Sequence, residues 1–344
     1  MHARHRKIGI AIGAVAVLVA GLLAGQVGAS AESAKPPATV KGLKILLTND
    51  DSVQGTKADG SDGQGLYELR KALCAAGADV VVIGPWGQQS GQGGRITTDR
   101  ATGLTVTPAS VPETYAGDCA DAGAGGAVYG VCNSNMTCTT GSPSASPSDT
   151  VRIGIQNFLP ATYWPAGPDL VLSGINWGQN AGIGVFHSGT TSAAVTAHEF
   201  GRPAIAFSEQ FDLIPCAVSG VNCPTYTPGA AFAVTLIGKL RGAGLLKPST
   251  LLNVNFPYVG ADEKQGKPAL NVLGNGDMLD MTWNGATTTE GATYSLGIPS
   301  DRKSTNKNAD TTALDANRIS IVAMTGDWSR TPSKKLTALV KALR

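Results

Sequence analysis

Charged side chains are scarce in this 344-residue chain: Asp, Glu, Lys and Arg make up 15% of it, and the formal net charge is only +2. No basic stripe and no acidic tail occurs, so composition gives no reason to expect binding to nucleic acid or to a charged membrane surface. Histidine occurs only four times, and there is no Cys-x-x-Cys pair. A zinc site, the alternative to disulfides for the cysteines, is therefore disfavoured.

What the chain has in quantity is apolar and small residues. Hydrophobic residues make up 42% of it, and 44 residues are glycine. The hydrophobic content is enough for one large core, or for a core domain with an appendage. The abundance of glycine indicates many turns and loops.

The N-terminus has the pattern of an export signal. Basic residues within the first seven positions precede an apolar run at 8–24, and small residues follow it. We predict that residues 1–31 are a secretory signal peptide, cleaved near Ala29 or Ala31, which makes the mature protein secreted and free of the membrane. An uncleaved anchor is the alternative, because the run has about the minimum length for a membrane span.

Export favours disulfides among the cysteines. Six cysteines allow 15 connectivities, and these cysteines are Cys74, Cys119, Cys132, Cys138, Cys216 and Cys223. Cys216 and Cys223 are predicted to close a local loop, and at least one bridge is expected among the three cysteines within 109–150. Cys74 lies on a predicted helix, where we expect a buried free thiol.

Short apolar runs alternate with segments of helical spacing after a flexible leader at 32–42. The predicted strands are residues 43–48, 79–83, 169–173, 203–208, 250–256 and 319–324, and the predicted helices are residues 66–76, 151–158, 190–200, 230–240 and 334–343. This order predicts a three-layer αβα sandwich with a mostly parallel, Rossmann-like sheet. One domain is expected over 43–344, with an insert at 109–150 and an extended β-hairpin or loop region at 257–317.

Polar residues follow several of these strands, where sites form in open α/β sheets. The clusters are Asn49-Asp50-Asp51, Ser90-Gly91, Ser173-Gly174-Ile175-Asn176 and His187-Ser188-Gly189-Thr190. Adjacent carboxylates raise each other's proton affinity unless a cation intervenes, and carboxylate, amide and hydroxyl oxygens suit Mg²⁺, Mn²⁺ or Ca²⁺. The structural alternative is one helix-capping Asp and one solvated Asp.

The run Ser188-Gly189-Thr190 precedes a predicted helix. Backbone N–H groups and hydroxyls at a helix N-terminus bind anions, although a plain N-cap has the same sequence pattern. His187 beside it is a candidate general acid or a simple loop residue.

Longer motifs carry a more specific resemblance. They are Asn49-Asp50-Asp51, the segment 84–91, Pro-Asp-Leu-Val-Leu-Ser-Gly-Ile-Asn-Trp-Gly-Gln-Asn at 168–180, Ser188-Gly189-Thr190, and Leu-Asn-Val-Asn-Phe-Pro at 252–257. Over roughly residues 43–325 the chain resembles the SurE family of metal-dependent 5′/3′-nucleotidases and acid phosphatases. The resemblance implies hydrolysis of nucleoside 5′/3′-monophosphates to nucleoside and phosphate, and assembly into a homodimer or higher homo-oligomer through C-terminal elements.

The resemblance also implies roles for single residues. The implied metal ligands are Asp50, Asp51, Ser90 and Asn176, and the implied phosphate contacts are Asn49, Asn180, Ser188, Gly189 and Thr190. Asp50 and Asp51 are the implied catalytic residues, and we favour Asp50 as nucleophile or as general base. A divalent ion, Mg²⁺ or Mn²⁺ with Ca²⁺ possible, is the implied cofactor.

The chain departs from the family pattern near the expected site. Ser52 stands where the family usually has glycine, and the following loop is longer. Asp59 and Asp62 in this loop could bind a second cation such as calcium, or could simply be solvated. These departures leave the substrate specificity open.

Two other functions fit the same residues. One is a secreted acid phosphatase of broad specificity, and the other is a non-catalytic anion-binding module. The second is disfavoured because all four implied ligand positions hold residues able to bind a metal.

Overall fold

The computed structural model describes residues 38–54, 63–211, 216, 220, 223–259, 265–285, 291–297, 300–326 and 331–343. The predicted signal peptide at 1–31 and the calcium candidates Asp59 and Asp62 lie outside the described residues. Within the described ranges, none of the helices has the length and apolar character needed to cross a bilayer.

Thirteen strands are described. They are β1 (Lys44–Thr48), β2 (Asp79–Pro85), β3 (Leu104–Pro108), β4 (Val128–Asn133), β5 (Leu170–Trp177), β6 (Ala204–Glu209), β7 (Leu251–Phe256), β8 (Gly266–Asn271), β9 (Asp277–Asp280), β10 (Trp283–Asn284), β11 (Ser295–Leu296), β12 (Ser300–Arg302) and β13 (Arg318–Ala323). The described helices are α1 (Gln64–Ala75), α2 (Pro147–Ile153), α3 (Leu159–Thr162), α4 (Gly189–Glu199), α5 (Thr227–Gly242), α6 (Asp310–Asp315) and α7 (Lys334–Ala342).

Nine of these strands form one sheet in the order β3-β4-β2-β1-β5-β6-β7-β13-β8. The six strands from β4 to β7 in that order are parallel, while β3 and β13 run antiparallel to their neighbours β4 and β7. The prediction of a mostly parallel sheet is therefore confirmed.

Helices cover both faces of the sheet, as expected for a parallel sheet that is buried on both sides. Ile45 and Leu47 of β1 point to a core shared with α1 and α5, and Leu46 between them points to a core shared with α2 and α4. The alternation follows from the two-residue period of a strand. The predicted three-layer sandwich is confirmed.

Two predicted boundaries were wrong. The strand predicted at 169–173 continues to Trp177, because Gly174 (φ +118°) forms an irregularity after which Asn176 and Trp177 pair with β6 again. The helix predicted at 151–158 begins at Pro147, because Ser146 and Asp149 form a capping box around its first turn, and a π-helical turn follows it at Gly154–Phe158.

The segment 109–150 is tied to the body of the domain at several points. Its strand β4 lies between β2 and β3 in the main sheet. The buried guanidinium of Arg70 on α1 donates to the carbonyl oxygens of Gly126 (2.8 Å), Tyr115 (3.4 Å) and Asp118 (3.4 Å). These bonds satisfy a charged group that would otherwise be costly to bury.

All six cysteines form disulfides, in the pairs Cys74–Cys119, Cys132–Cys138 and Cys216–Cys223. The predicted Cys216–Cys223 pair and the predicted bridge within the insert are confirmed. The prediction of a free thiol at Cys74 was wrong, because its partner lies 45 residues away in sequence and only the tertiary fold brings the two together.

The region 257–317 contains the predicted β-structure. Strand β8 completes one edge of the main sheet, β9 pairs with β12, and β10 pairs with β11 as an antiparallel hairpin.

Candidate active site

The sequence Asn49-Asp50-Asp51 lies at the carboxyl end of β1, at the middle of the sheet. All three side chains are buried, with 3% or less of each residue exposed. Ser52, which follows them, is also buried and has a φ of +88°, a conformation in which glycine is unstrained. This conformation gives a physical reason for the glycine that the family usually has at this position.

Asp50 lies against the first turn of α4. The Thr190 hydroxyl donates a short hydrogen bond to Asp50 Oδ1. A Cβ atom added at Gly189 would lie 2.8 Å from Asp50 Cβ and 2.9 Å from Oδ2, so this close approach requires glycine. The backbone of Asp50 is held as well, because its carbonyl oxygen accepts from Gln89 N at 2.8 Å.

Helix α4 begins directly at this carboxylate. Ser188 is its N-cap, and the Ser188 Oγ accepts from Thr191 N at 3.1 Å. The cap uses one of the free N–H groups of the first turn, and the partial positive charge of the remaining ones favours an anion. Phosphate is an anion suited to such a place.

Asp51 points toward the end of the neighbouring strand β5. Its Oδ2 accepts from Trp177 N at 2.8 Å. Asn176, the residue before Trp177, is 7% exposed and donates from Nδ2 to Gly178 O at 2.7 Å, while its Oδ1 is buried without a hydrogen-bond partner. Asn49 Oδ1 is likewise buried without a hydrogen-bond partner.

Ser90 is exposed on the loop after β2, and Gln88 connects it with Asp51. The Gln88 Oε1 accepts from Ser90 N (3.0 Å) and Ser90 Oγ (3.1 Å), and the Gln88 Nε2 donates to Asp51 Oδ1 (3.4 Å). One amide side chain thereby links two of the implied metal ligands.

Asn180 is fixed by β6 and β7 on the other side of β5. Its Nδ2 donates to Ser208 Oγ (2.9 Å), its backbone N donates to Asn255 Oδ1 (2.8 Å), and its carbonyl oxygen accepts from Asn253 Nδ2 (2.8 Å). Ser208 therefore holds the Asn180 side chain, and Asn253 and Asn255 hold its backbone.

The residues present fit a hard divalent ion. Within the described ranges, no three or more His, Cys, Asp or Glu side chains cluster in a way that could hold a metal. The implied set has only two carboxylates, and its other donors are the Ser90 hydroxyl and the Asn176 amide. Buried amide oxygens without a partner are costly, and a cation at this strand end would use that of Asn176.

Two further residues support this site, and neither of them was assigned a role from the sequence. Gln88 is one, because its hydrogen bonds reach across the fold. Asp310 of α6 is the other: it is buried and accepts from Gly182 N (2.8 Å) and Gly274 N (2.9 Å), which fixes the start of the turn that leads to Ser188. Burial raises the pKa of Asp310, and backbone N–H groups partly offset this.

His187 is exposed at the end of that turn. Its carbonyl oxygen accepts from Gly93 N at 3.1 Å, which joins the turn to the loop that carries Ser90. Two loops that follow different strands thus meet beside Asp50.

Fold and site together define an α/β protein in which a carboxylate pair and a helix N-terminus meet at the carboxyl edge of a parallel sheet. A family model described as "Survival protein SurE" matches residues 45–275. The chain belongs to the SurE family.

Relatives agree with this membership, and a solved structure agrees with the fold. The chain is 34% identical to "5'-nucleotidase SurE" of Desulfitobacterium hafniense over 65% of this chain and 68% of that one, and 30% identical to "5'-nucleotidase SurE" of Microcystis aeruginosa over 65% and 66%. The fold matches the crystal structure of the SurE protein from Aquifex aeolicus with a TM-score of 0.60, at 24% identity, over 87% of this chain and 98% of that one.

Proposed function

We propose that this protein is a metal-dependent phosphatase that hydrolyses nucleoside 5′- and 3′-monophosphates to nucleoside and phosphate. Its curated relatives are named 5′-nucleotidases, which makes the chain a phosphoric monoester hydrolase. The observation that supports the proposal best is the contact between Asp50 and the first turn of α4, where Gly189 leaves no space for a side chain. A carboxylate and an anion site in direct contact are what attack on a phosphate ester needs.

Different residues would bind the phosphate and hold the metal. The backbone N–H groups of Gly189 and Thr190 at the N-terminus of α4, with the hydroxyl of Ser188, would bind the phosphate and stabilise the charge that develops during its transfer. Asn49 and Asn180 would add hydrogen-bond donors. A divalent ion held by Asp50, Asp51, Ser90 and Asn176 would neutralise phosphate oxygens and orient the ester.

Asp50 would act as nucleophile or as general base. The Thr190 hydroxyl holds Asp50 Oδ1, and Gly189 lies close to Oδ2, so the carboxylate has one defined orientation beside the N-terminus of α4, where the phosphate would bind. Such positioning contributes a large part of the rate in phosphoryl transfer.

Export is part of the proposal and rests on the sequence of residues 1–31. A secreted enzyme of this kind would release phosphate and nucleosides outside the cell. The disulfides of the fold are consistent with an oxidising compartment.

A phosphatase panel tests the function. Purified protein is assayed with nucleoside 5′- and 3′-monophosphates, sugar phosphates and 4-nitrophenyl phosphate, with Mg²⁺, Mn²⁺ and Ca²⁺ separately. We expect phosphate release only with a divalent ion, complete loss with EDTA, and recovery when the ion is added back. Activity that survives exhaustive chelation would contradict the metal requirement.

The variant Asp50→Asn tests the site. It should lower kcat by at least about 10³-fold, because the amide can neither attack nor accept a proton. The matched control is Asp99→Asn, at an exposed loop position, which should retain full activity. Equal activity of the two variants would show that the site lies elsewhere.

A further inference from the structure

A cavity of about 260 Å³ lies at the carboxyl end of β6, the strand next to β5. Glu209, the last residue of β6, forms part of its wall together with Pro228 of α5 and Pro257, Tyr258 and Val259 beyond β7. The volume is close to the lower end of the range for small-molecule sites, about 300–1,000 Å³. There is space for one ring system.

Glu209 has unused hydrogen-bonding capacity in this wall. Only 6% of the residue is exposed, and its Oε2 is buried without a hydrogen-bond partner. Backbone N–H groups of Tyr226 and Thr225 donate to the same carboxyl group, and burial raises its pKa to about 7. A buried acceptor without a donor is costly, and a ligand that brings N–H groups would remove that cost.

The rest of the wall indicates which part of a substrate belongs here. Proline, valine and tyrosine side chains present flat or apolar surfaces, Thr225 and Gln265 are polar but uncharged, and the described lining residues include no lysine, arginine or histidine. A phosphate group would find no cation here, and it would face the Glu209 carboxyl. A planar ring with N–H donors on one edge matches both features.

The cavity and the carboxylate pair share one edge of the sheet. Trp177 is the register partner of Glu209 across β5 and β6, and Gly178 N donates to Glu209 O at 2.9 Å. The same Trp177 donates from its backbone N to Asp51 Oδ2 at 2.8 Å. Trp177 therefore bonds to Asp51 and lies beside the backbone of Glu209, and neighbouring strands lie about 4.8 Å apart.

We propose that this cavity binds the base of a nucleoside monophosphate and that Glu209 selects guanine. The proposal rests on the proposed function, because the phosphate of the same molecule would occupy the α4 site. Guanine carries two neighbouring N–H donors, at N1 and N2, so Oε2, the oxygen without a partner, would meet a donor and no base acceptor would face the carboxyl group. Adenine and cytosine offer one donor beside an acceptor, and the acceptor would face a carboxylate oxygen.

The test compares substrates with and without a base. We measure kcat/KM for GMP, AMP, CMP and 4-nitrophenyl phosphate in the full protein, and use the last, which has no base, as the reference. The GMP ratio is kcat/KM for GMP divided by kcat/KM for 4-nitrophenyl phosphate, and the AMP and CMP ratios are defined in the same way. In the wild type the GMP ratio should be the largest. In Glu209→Gln it should fall at least about tenfold, mainly through KM, and the AMP ratio should rise, because an amide pairs with the donor and acceptor of adenine.

Two further variants test whether Glu209 and the cavity bind the base. Glu199→Gln is the matched control: it removes an exposed carboxylate on α4 and should leave every ratio unchanged. Val259→Trp fills the cavity, leaves Glu209 in place, and should lower the GMP ratio as well. Ratios that are unchanged in both Glu209→Gln and Val259→Trp would overturn the proposal.

Binding of guanosine separates this proposal from the proposed function, because guanosine has no phosphate. Calorimetry should show saturable binding to the wild type and at least about tenfold weaker binding to Glu209→Gln. If no ester is hydrolysed but this difference is found, the function is wrong and the base site stands. If GMP is hydrolysed but guanosine does not bind, or binds equally to both proteins, the base site is wrong and the function stands.

Discussion

Gly189 has no space for even one more carbon atom. It has a helical conformation at the start of α4, so alanine is compatible with its backbone. The shortest conflicts are with Asp50, whose Cβ would be 2.8 Å and whose Oδ2 2.9 Å from the added atom, and Pro147 Cγ follows at 3.1 Å. We predict that Gly189→Ala displaces Asp50 from the helix N-terminus and lowers kcat/KM for a phosphate ester about 10²-fold, since small errors of position have costs of this size.

Gly94→Ala is the matched control for this prediction. Gly94 also lies near α4, but the nearest heavy atom to an added Cβ is Ser192 Oγ at 3.9 Å, an ordinary contact. Its kcat/KM should stay within about twofold of the wild type. If both alanine variants are equally active, close packing at Asp50 does not matter for catalysis.

Glu209 should make the stability of the protein depend on pH. Burial raises its pKa from 4.5 to about 7 in the folded state, so between these two values the folded state binds more protons than the unfolded state. The free energy of unfolding therefore falls as the pH rises through this window, by about 3 kcal/mol in total, and changes no further above it.

Urea unfolding of the wild type and of Glu209→Gln measures this effect. The difference between their unfolding free energies isolates the single group, because all other titrations are shared. We expect the wild type to lose stability relative to the variant from pH 4.5 to 7.5. A difference that stays constant over this range would show that Glu209 titrates normally.

The sequence could predict the site residues that stand in continuous motifs. Asp50 and Asp51 follow a buried strand, and Gly189 and Thr190 begin a helix, so the fold class alone indicates that they meet. Gln88 and Glu209 could not be found in this way. Their importance depends on contacts with Ser90, Asp51 and the cavity, and no local pattern encodes such contacts.

The disulfides differ in how much chain they enclose. Cys74–Cys119 attaches the segment 109–150 to α1 across 45 residues, while Cys132–Cys138 spans only six. In the chain-entropy description, loss of the longer link costs about 4 kcal/mol and loss of the shorter about 2 kcal/mol. We predict that Cys74→Ala/Cys119→Ala destabilises the protein more than Cys132→Ala/Cys138→Ala does.

Denaturant unfolding of the two double variants and the oxidised wild type tests this order. The Cys132–Cys138 variant serves as the control for the loss of two sulfur atoms from partly or fully buried positions. Equal losses of unfolding free energy would contradict an effect of the enclosed length.

At the scale of elements, the sequence predicts best where apolar runs are continuous. Strand β1 and the start of β5 are such runs, and both were found. Strand β4 was not predicted, because Gly130 interrupts it. A Cβ atom there would lie 2.4 Å from Trp86 Cε3, so the glycine leaves space for the indole ring of Trp86, the residue after β2. Only the folded structure shows this requirement.

At the scale of the whole molecule, the apolar surface of the C-terminal region bears on assembly. The hairpin β10–β11 and its surroundings expose several large apolar side chains, each at least half exposed: Met281, Trp283, Tyr294 and Leu296. Contiguous apolar surface of this kind is typical of a contact with another chain. We propose that this hairpin lies in the interface of a homodimer or higher homo-oligomer.

We predict that Trp283→Ser/Leu296→Ser reduces the molar mass in solution to that of one chain. Both side chains belong to the hairpin's paired residues, so their loss removes the centre of the exposed apolar surface without affecting the main sheet. Size-exclusion chromatography with light scattering measures the mass, and far-ultraviolet circular dichroism checks the fold. Leu339→Ser, which replaces an equally exposed leucine on α7, is the control and should keep the wild-type mass. A monomeric wild type would contradict the assembly itself, and a control that dissociates as the hairpin variant does would contradict the assignment of the interface to this hairpin.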